Sequence, residues 1–176
     1  MTQYARPDAD ITSEGEWSGN AETGSLYTEV DETSANDSDV MEAGDSGCSG
    51  TTIELRLSDV TDPQSASGHI VHWRARDDSN DSELTVKLMM GSTEIASQTN
   101  TLTGSFADYS DTLNSTQANN ISDYTDLRLR FTFTDSECMG SAGFISHAYV
   151  EFPDVAAAAP AAEPDLPGAA FLMFVD

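Results

Sequence analysis

An all-β fold is what the sequence predicts, specifically an antiparallel β-sandwich of jelly-roll type with extended N- and C-terminal arms, and three observations point to it. Apolar and polar residues alternate with period two over a series of short segments, clusters of Gly, Asp, Asn and Ser separate those segments, and no long stretch carries helical periodicity. Alternation marks a half-buried strand, because neighbouring side chains project to opposite faces. Several such strands joined by turn residues make a sandwich, with a barrel as the nearest rival.

Residues 1–25 are rich in Asp, Glu, Gly, Ser and Thr, with Trp17 the one large aromatic after Tyr4, and read as an extended arm. Leu26–Val30 reads as a short strand and 31–39 as a polar connection to Val40 and Met41. From Thr51 the core is plain. Ile53, Leu55 and Leu57 alternate with Glu54, Arg56 and Ser58, and Val71, Trp73 and Ala75 alternate with His72, Arg74 and Arg76. A turn at 77–82 leads into a strand over Leu84–Met90, and Gly91-Ser92 reverses the chain into Thr93–Thr99, a meander of hairpins. Ser115–Ile121 suits one helical turn. Leu127–Thr134 is the strongest strand, and Phe144–Phe152 supplies the last. The sandwich is therefore expected over 26–153, followed by an Ala/Pro linker over 154–168 and an apolar segment over 169–176.

The formal charge is −24, from 31 acidic against 7 basic residues, with Lys87 the one lysine. A phosphate backbone needs a basic patch, so nucleic acid is excluded as a partner. Disorder is excluded for the middle of the chain by its strand patterns. Self-repulsion at this charge is screened in strong salt, which suits a saline habitat, although an ordinary acidic protein is the alternative. Met1–Asp8 carry no apolar stretch of the secretory kind and no run reaches membrane-spanning length, so the expectation is synthesis in a host cytoplasm with no membrane partner.

Candidate sites are few. Cys48 and Cys138 lie in similar small-residue settings and are a candidate disulfide, with two free thiols the alternative. Asp77, Ser79, Asp81 and Glu83 place oxygen ligands at alternate positions, as a calcium loop does. The segment lacks the glycine and the closing glutamate of such a loop, so a Ca or Na ion competes with a plain hairpin turn, and no other cofactor is expected. His69 and His72 fall on opposite faces of one strand, and His72 could meet His147 only if their strands are neighbours. No Gly-x-Ser-x-Gly elbow is present, and paired carboxylates cannot be chosen among so many, so the chain reads as non-enzymatic. Arg74 and Arg76 share one strand face, as do Arg128 and Arg130; these four either bridge to Glu54, Glu83 or Glu151 or meet an acidic neighbouring subunit. Phe171, Leu172, Met173, Phe174 and Val175, at the end of a linker, either dock on a neighbour or fold back on their own sheet.

The runs Leu26–Glu32, Leu57–Pro63 with Gly68–Arg76, and Ile121–Phe131 resemble a structural module of tailed-phage and haloarchaeal-virus particles. That resemblance implies a β-sandwich in a virion or adhesive role and brings no catalytic residues. The expected function is a virion structural protein on the particle surface, a capsid decoration, turret or tail-surface subunit forming a homo-oligomer with major capsid or tail proteins as partners. The alternative is a carbohydrate- or receptor-binding sandwich, with Trp17, Trp73 or Tyr109 as a stacking platform.

Overall fold

The computed structural model describes residues 2–14, 17–19, 24–44, 50–79, 81–135 and 140–155. In order these form β1 (Gln3–Ala5), β2 (Pro7–Glu14), β3 (Trp17–Gly19), a 3-10 helix (Leu26–Glu29), β4 (Met41–Ala43), β5 (Thr51–Leu57), β6 (Ile70–Asp77), β7 (Glu83–Met90), β8 (Thr93–Thr101), β9 (Ala107–Thr112), α1 (Ser115–Asn119), β10 (Leu127–Thr134) and β11 (Gly143–Phe152). Two antiparallel sheets face each other. The front sheet runs β3-β4-β11-β6-β9, with β1 also paired to β11, and the back sheet runs β2-β5-β10-β7-β8. From β4 onward the chain repeatedly crosses between sheets, so the two layers are tied together by covalent connections as well as by their core.

Alternation sets which residues fill that core. Leu127, Leu129, Phe131 and Phe133 of β10 point inward between Ile53 and Leu55 of β5 and Val86 and Leu88 of β7, and all are essentially sealed from solvent. Across from them lie Val71, Trp73 and Ala75 of β6 and Ala148, Val150 and Phe152 of β11. Burying a large apolar side chain stabilises by about 1.5–3 kcal/mol, so a core of this kind offsets much of the chain entropy lost on folding. Gly143 has no room for more: a Cβ there would lie 2.4 Å from the Phe133 ring.

The expected arm over 1–25 contributes three strands instead. β1 pairs with β11, β2 pairs with β5, and Trp17 on β3 joins the buried cluster. Leu26–Val30 also differs from the strand expected there. Asp10 accepts hydrogen bonds from the backbone N–H of Leu26 and of Tyr27, each at 2.8 Å, and so closes the first turn of the 3-10 helix. A carboxylate on another strand, invisible to local patterning, selects helix over strand. The edge strand β9 was not foreseen, because only Ala107, Tyr109 and Asp111 turn inward along it. The turn at Ser115–Asn119 is helical as expected, closed by a capping box between Asn114 and Gln117.

One irregularity in β11 matters for function. Between Ile145 and His147 the register with β6 shifts, and Ser146 is the extra residue. A one-residue slip moves every later side chain to the other face. Because of this bulge, Phe144 before it and His147, Tyr149 and Glu151 after it all face outward, opposite Arg76, Arg74, His72 and Ile70 respectively.

Candidate functional site

The outer face of the front sheet carries ring-bearing side chains that strand alternation has placed outside the core. His72 and Tyr149 sit directly across from each other on β6 and β11, and their rings stack at 4.5 Å and 15°. His147 lies 5.1 Å from the same tyrosine and Tyr4 on β1 meets it edge-on at 5.8 Å. An open cleft of about 210 Å³ is lined by His72, Trp73, Asp108, Tyr109, His147 and Tyr149. Tyr4, which meets Tyr149 from β1, is half exposed.

The segment between Val30 and Asp37 holds this face in place. Between β4 and β1, the central stretch of β11 has no strand beside it, and this segment fills the gap. Ala148 N–H donates to Val30 O at 3.1 Å, Ser146 Oγ donates to Asp37 at 2.9 Å, and His147 Nε2 lies 2.9 Å from Glu32 O. Arg6 Nη1 donates to the same Glu32 carbonyl at 2.9 Å and spreads its guanidinium 5.0 Å from the Tyr149 ring centre.

Burial decides the charge state of the histidines. Desolvation pushes His72 down, against the opposing pull of Glu151, whose oxygen lies 3.6 Å away. His147 is likewise pushed down, first by burial, so both rings are neutral near pH 7. Desolvation raises Tyr149, with Glu151 adding to the effect, and it stays a phenol. Asp37 is held below its ordinary value by the hydrogen bond from Arg74. Glu32, just beneath, is pushed up to about 7 by burial and by the nearby carboxyls of Asp39 and Asp31.

The two arginine pairs lie on opposite outer faces of the sandwich. Arg74 and Arg76 are on the front sheet, Arg128 and Arg130 on the back. Most of this guanidinium charge is used within the chain. Arg74 bridges Asp37 at 2.8 Å and Asp108 at 3.2 Å, Arg128 bridges Glu54 at 3.0 Å and Asp126 at 2.9 Å, and Arg130 bridges Glu54 at 2.6 Å. Of the suggested intramolecular partners, Glu54 is thus the one that serves. Arg76 instead stacks on Phe144, with its guanidinium carbon 3.9 Å from the ring centre, and is flanked by Phe106 at 5.3 Å.

Of the stacking residues expected from sequence, Trp73 and Tyr109 border the cleft but turn their rings to the inner side of the sheet, and Trp17 does not border it. Trp17 and Trp73 belong to the core, and Trp73 stacks on Tyr109 at 6.0 Å from the inner side of its strand. Tyr149, Tyr4 and His72 take the outward positions. His69 is buried, its Nε2 2.9 Å from the Tyr124 hydroxyl, while His72 and His147 do lie on neighbouring strands, on either side of Tyr149. Asp77 is fully buried and its carboxylate accepts from Ser79 Oγ and from the backbone N–H of Asp81 and Ser82, so Asp77, Ser79 and Asp81 form one hydrogen-bonded turn. Glu83 points to solvent from the start of β7. Among the described residues no three metal-ligating side chains converge. Cys48, Cys138 and the apolar segment Phe171–Val175 lie outside the described residues.

No protein-family model matches the chain and no curated protein matches its sequence. Solved structures of similar shape include several carbohydrate-binding modules. The C-terminal CBM6 of the marine laminarinase LamC from Zobellia galactanivorans superimposes with a TM-score of 0.49 at 11% identity, over 86% of this chain and 100% of that one. A CBM4 module gives 0.48 at 10% identity, over 85% and 94% of the two chains. The CBM36-1 domain of a multidomain xylanase from the hindgut metagenome of Trinervitermes trinervoides gives 0.46 at 10% identity, over 87% and 98%.

The virion expectation is corrected by these findings. The three structures just named are carbohydrate-binding modules, not capsid decorations, turrets or tail subunits, so the viral and capsid parts of the expectation are not kept and the saline-habitat part is left without support. The arginines point the same way, since three of the four offered to an acidic subunit are already ion-paired within the chain. At this level of identity the likeness is one of sandwich architecture, and no residue here takes a role from it. Among the described residues no helix is long and apolar enough to cross a membrane.

Proposed function

We propose that this chain is a non-catalytic carbohydrate-binding module that holds a glycan on the outer face of its front sheet. The observation that carries the reading is the cluster of His72, His147 and Tyr149 lining an open cleft, with Tyr4 edge-on to Tyr149, on the side of the sheet turned away from the core. Aromatic side chains grouped at the surface keep apolar area that their neighbours leave uncovered, and a pyranose ring offers the matching surface, a face of C–H groups rimmed by hydroxyls. Asp108 and Glu151 border the rings and supply hydrogen-bond acceptors for those hydroxyls. A few polar groups converging on an aromatic-lined concavity is the usual make-up of a small-ligand site.

The test is calorimetric titration of the 176-residue chain with a panel of soluble glycans. Tyr149→Ala and Tyr4→Ala are each expected to weaken the best ligand about tenfold or more, which is about 1.4 kcal/mol per factor of ten. Circular dichroism should be unchanged, because both rings stand outside the core. Two folded variants that bind as tightly as the parent chain, or a parent chain that binds nothing on the panel, would overturn the proposal.

A further inference from the structure

We infer that the glycan taken by this face is anionic, with carboxylate or sulfate groups read by Arg6 and Arg76; the inference rests on the sugar-binding reading of the same face. It begins from how the chain uses its 7 basic residues among 31 acidic ones. Five have a carboxylate in ion-pair contact: Arg56 with Asp8, Arg74 with Asp37 and Asp108, Lys87 with Glu94, Arg128 with Glu54 and Asp126, and Arg130 with Glu54. Arg6 and Arg76 have none among the described residues. With acids this abundant, two cations left without one are not a matter of supply.

Both unpaired arginines lie on the front face, at opposite ends of the ring-bearing strip. Arg6 lies 5.7 Å from the Tyr4 ring centre and 5.0 Å from that of Tyr149. Arg76 is stacked on Phe144 and borders Phe106. Stacking occupies the flat face of a guanidinium and leaves the donors along its edge, which is the geometry that meets a carboxylate or a sulfate. Arg6 commits one Nη1 donor to the Glu32 carbonyl, and Arg76 commits one to Asp77 O in a long contact of 3.4 Å. The remaining donors are available. A lysine could not be held in this way.

The surrounding charges leave the two arginines as the only cations here free to meet a ligand. Carboxylates border the strip as well: Arg74 holds Asp37 and Asp108, Glu42 of β4 lies across from Phe144, and Asp31 is close enough to Arg6 to feel its charge. Glu151 sits beside His72, which burial keeps neutral. The front face therefore carries its three arginines among more carboxylates than arginines, in a chain whose net charge is −24. What sets Arg6 and Arg76 apart is that, among the described residues, no carboxylate is in ion-pair contact with either. Arg76 and His72 lie four residues apart on β6, or about 13 Å at strand rise, and Arg6 lies beyond His72 against Tyr149. The two cations are thus spaced for a chain of charged sugars and not for a single acidic ring.

The experiment compares affinity of the full chain for polygalacturonate and alginate, which carry carboxylates, for ι-carrageenan, which carries sulfates, and for the neutral laminarin, xylan and cellohexaose. One of the anionic classes is expected to bind about tenfold or more tighter than any neutral glycan, and Arg76→Gln and Arg6→Gln each to lose about tenfold of that affinity. Arg56→Gln, which removes an ion-paired cation from the opposite face, is expected to leave affinity unchanged. The Arg76 side chain makes no hydrogen bond to the backbone shorter than 3.4 Å, so its variant keeps the test clean if Arg6→Gln disturbs the fold. Preference for a neutral glycan, or an Arg76→Gln chain that binds anionic glycan as tightly as its parent, overturns this inference while leaving the proposed function standing on the Tyr149 result. Binding to neither class overturns both.

Discussion

Glu32 should make this domain less stable as pH rises toward neutrality, and replacing it with glutamine should remove that sensitivity. Its carboxyl has been drawn up from an ordinary 4.5 to about 7, chiefly by burial, with Asp39 and Asp31 adding to the shift. Glu32 Oε2 and Asp39 Oδ1 are both sealed from water without a hydrogen-bond donor, and a proton held between the two carboxyls satisfies both. Below about pH 4.5 the group is protonated whether the chain is folded or not. Between about 4.5 and 7 the folded state keeps a proton that the unfolded state has lost, so stability declines across this window and levels off above it. A shift of this size corresponds to a few kcal/mol at about 1.36 kcal/mol per unit. Because the side chain is only half-buried, solvent screening reduces this to about 1–2 kcal/mol. Glu32→Gln keeps the shape and offers Asp39 a permanent donor. At pH 8 the variant should melt about 2–8 °C above the parent chain, given about 2–4 °C per kcal/mol for a domain of this size. At pH 4.5 the two should coincide. Thermal melts followed by circular dichroism at half-unit pH steps read the difference directly. A parallel pH dependence for the two chains, or a variant less stable at pH 8, would refute the account of a shared proton.

Two further outcomes follow from packing and ion pairing. Gly143→Ala drives a methyl group into the Phe133 ring at 2.4 Å and should lower stability by about 1–3 kcal/mol, measured by urea denaturation; an unchanged midpoint would show that β10 and β11 are less tightly apposed than described. Glu54, 5% exposed, holds both Arg128 and Arg130, so Glu54→Gln should cost about 1–3 kcal/mol, and combining it with Arg130→Gln should cost less than the sum of the two single changes.

The residues that carry the proposed site were visible in the sequence, but their orientation was not. In Phe144–Phe152 the alternation is broken, so Ala148 and Tyr149 compete for the inward position when the segment is read alone. The bulge at Ser146 settles it in favour of Ala148, and the hydrogen bond from Ser146 to Asp37 belongs to a segment more than a hundred residues earlier in the chain. Trp73, by contrast, stands in clean alternation with Val71 and Ala75, and that pattern already placed it inside.

What the sequence determined by itself was the class of fold, the inward faces of β5, β6, β7 and β10, the helical turn at Ser115–Asn119, and the unsuitability of so acidic a chain for nucleic acid. These rest on local rules: side-chain alternation, turn chemistry, capping and net charge all act between near neighbours or on the chain as a whole. Only the tertiary structure decided that the first strands are woven into both sheets, that Leu26–Glu29 is helical, that Arg74 and Arg128 face away from each other, and that Arg6 alone joins Arg76 without a carboxylate. Each of these depends on which strand lies beside which. Asp10 must reach Leu26, Asp37 must reach Arg74, and Tyr149 must lie opposite His72 before any of those side chains has a role, and such pairings between distant segments are set by sheet register and packing, not by the residues on either side.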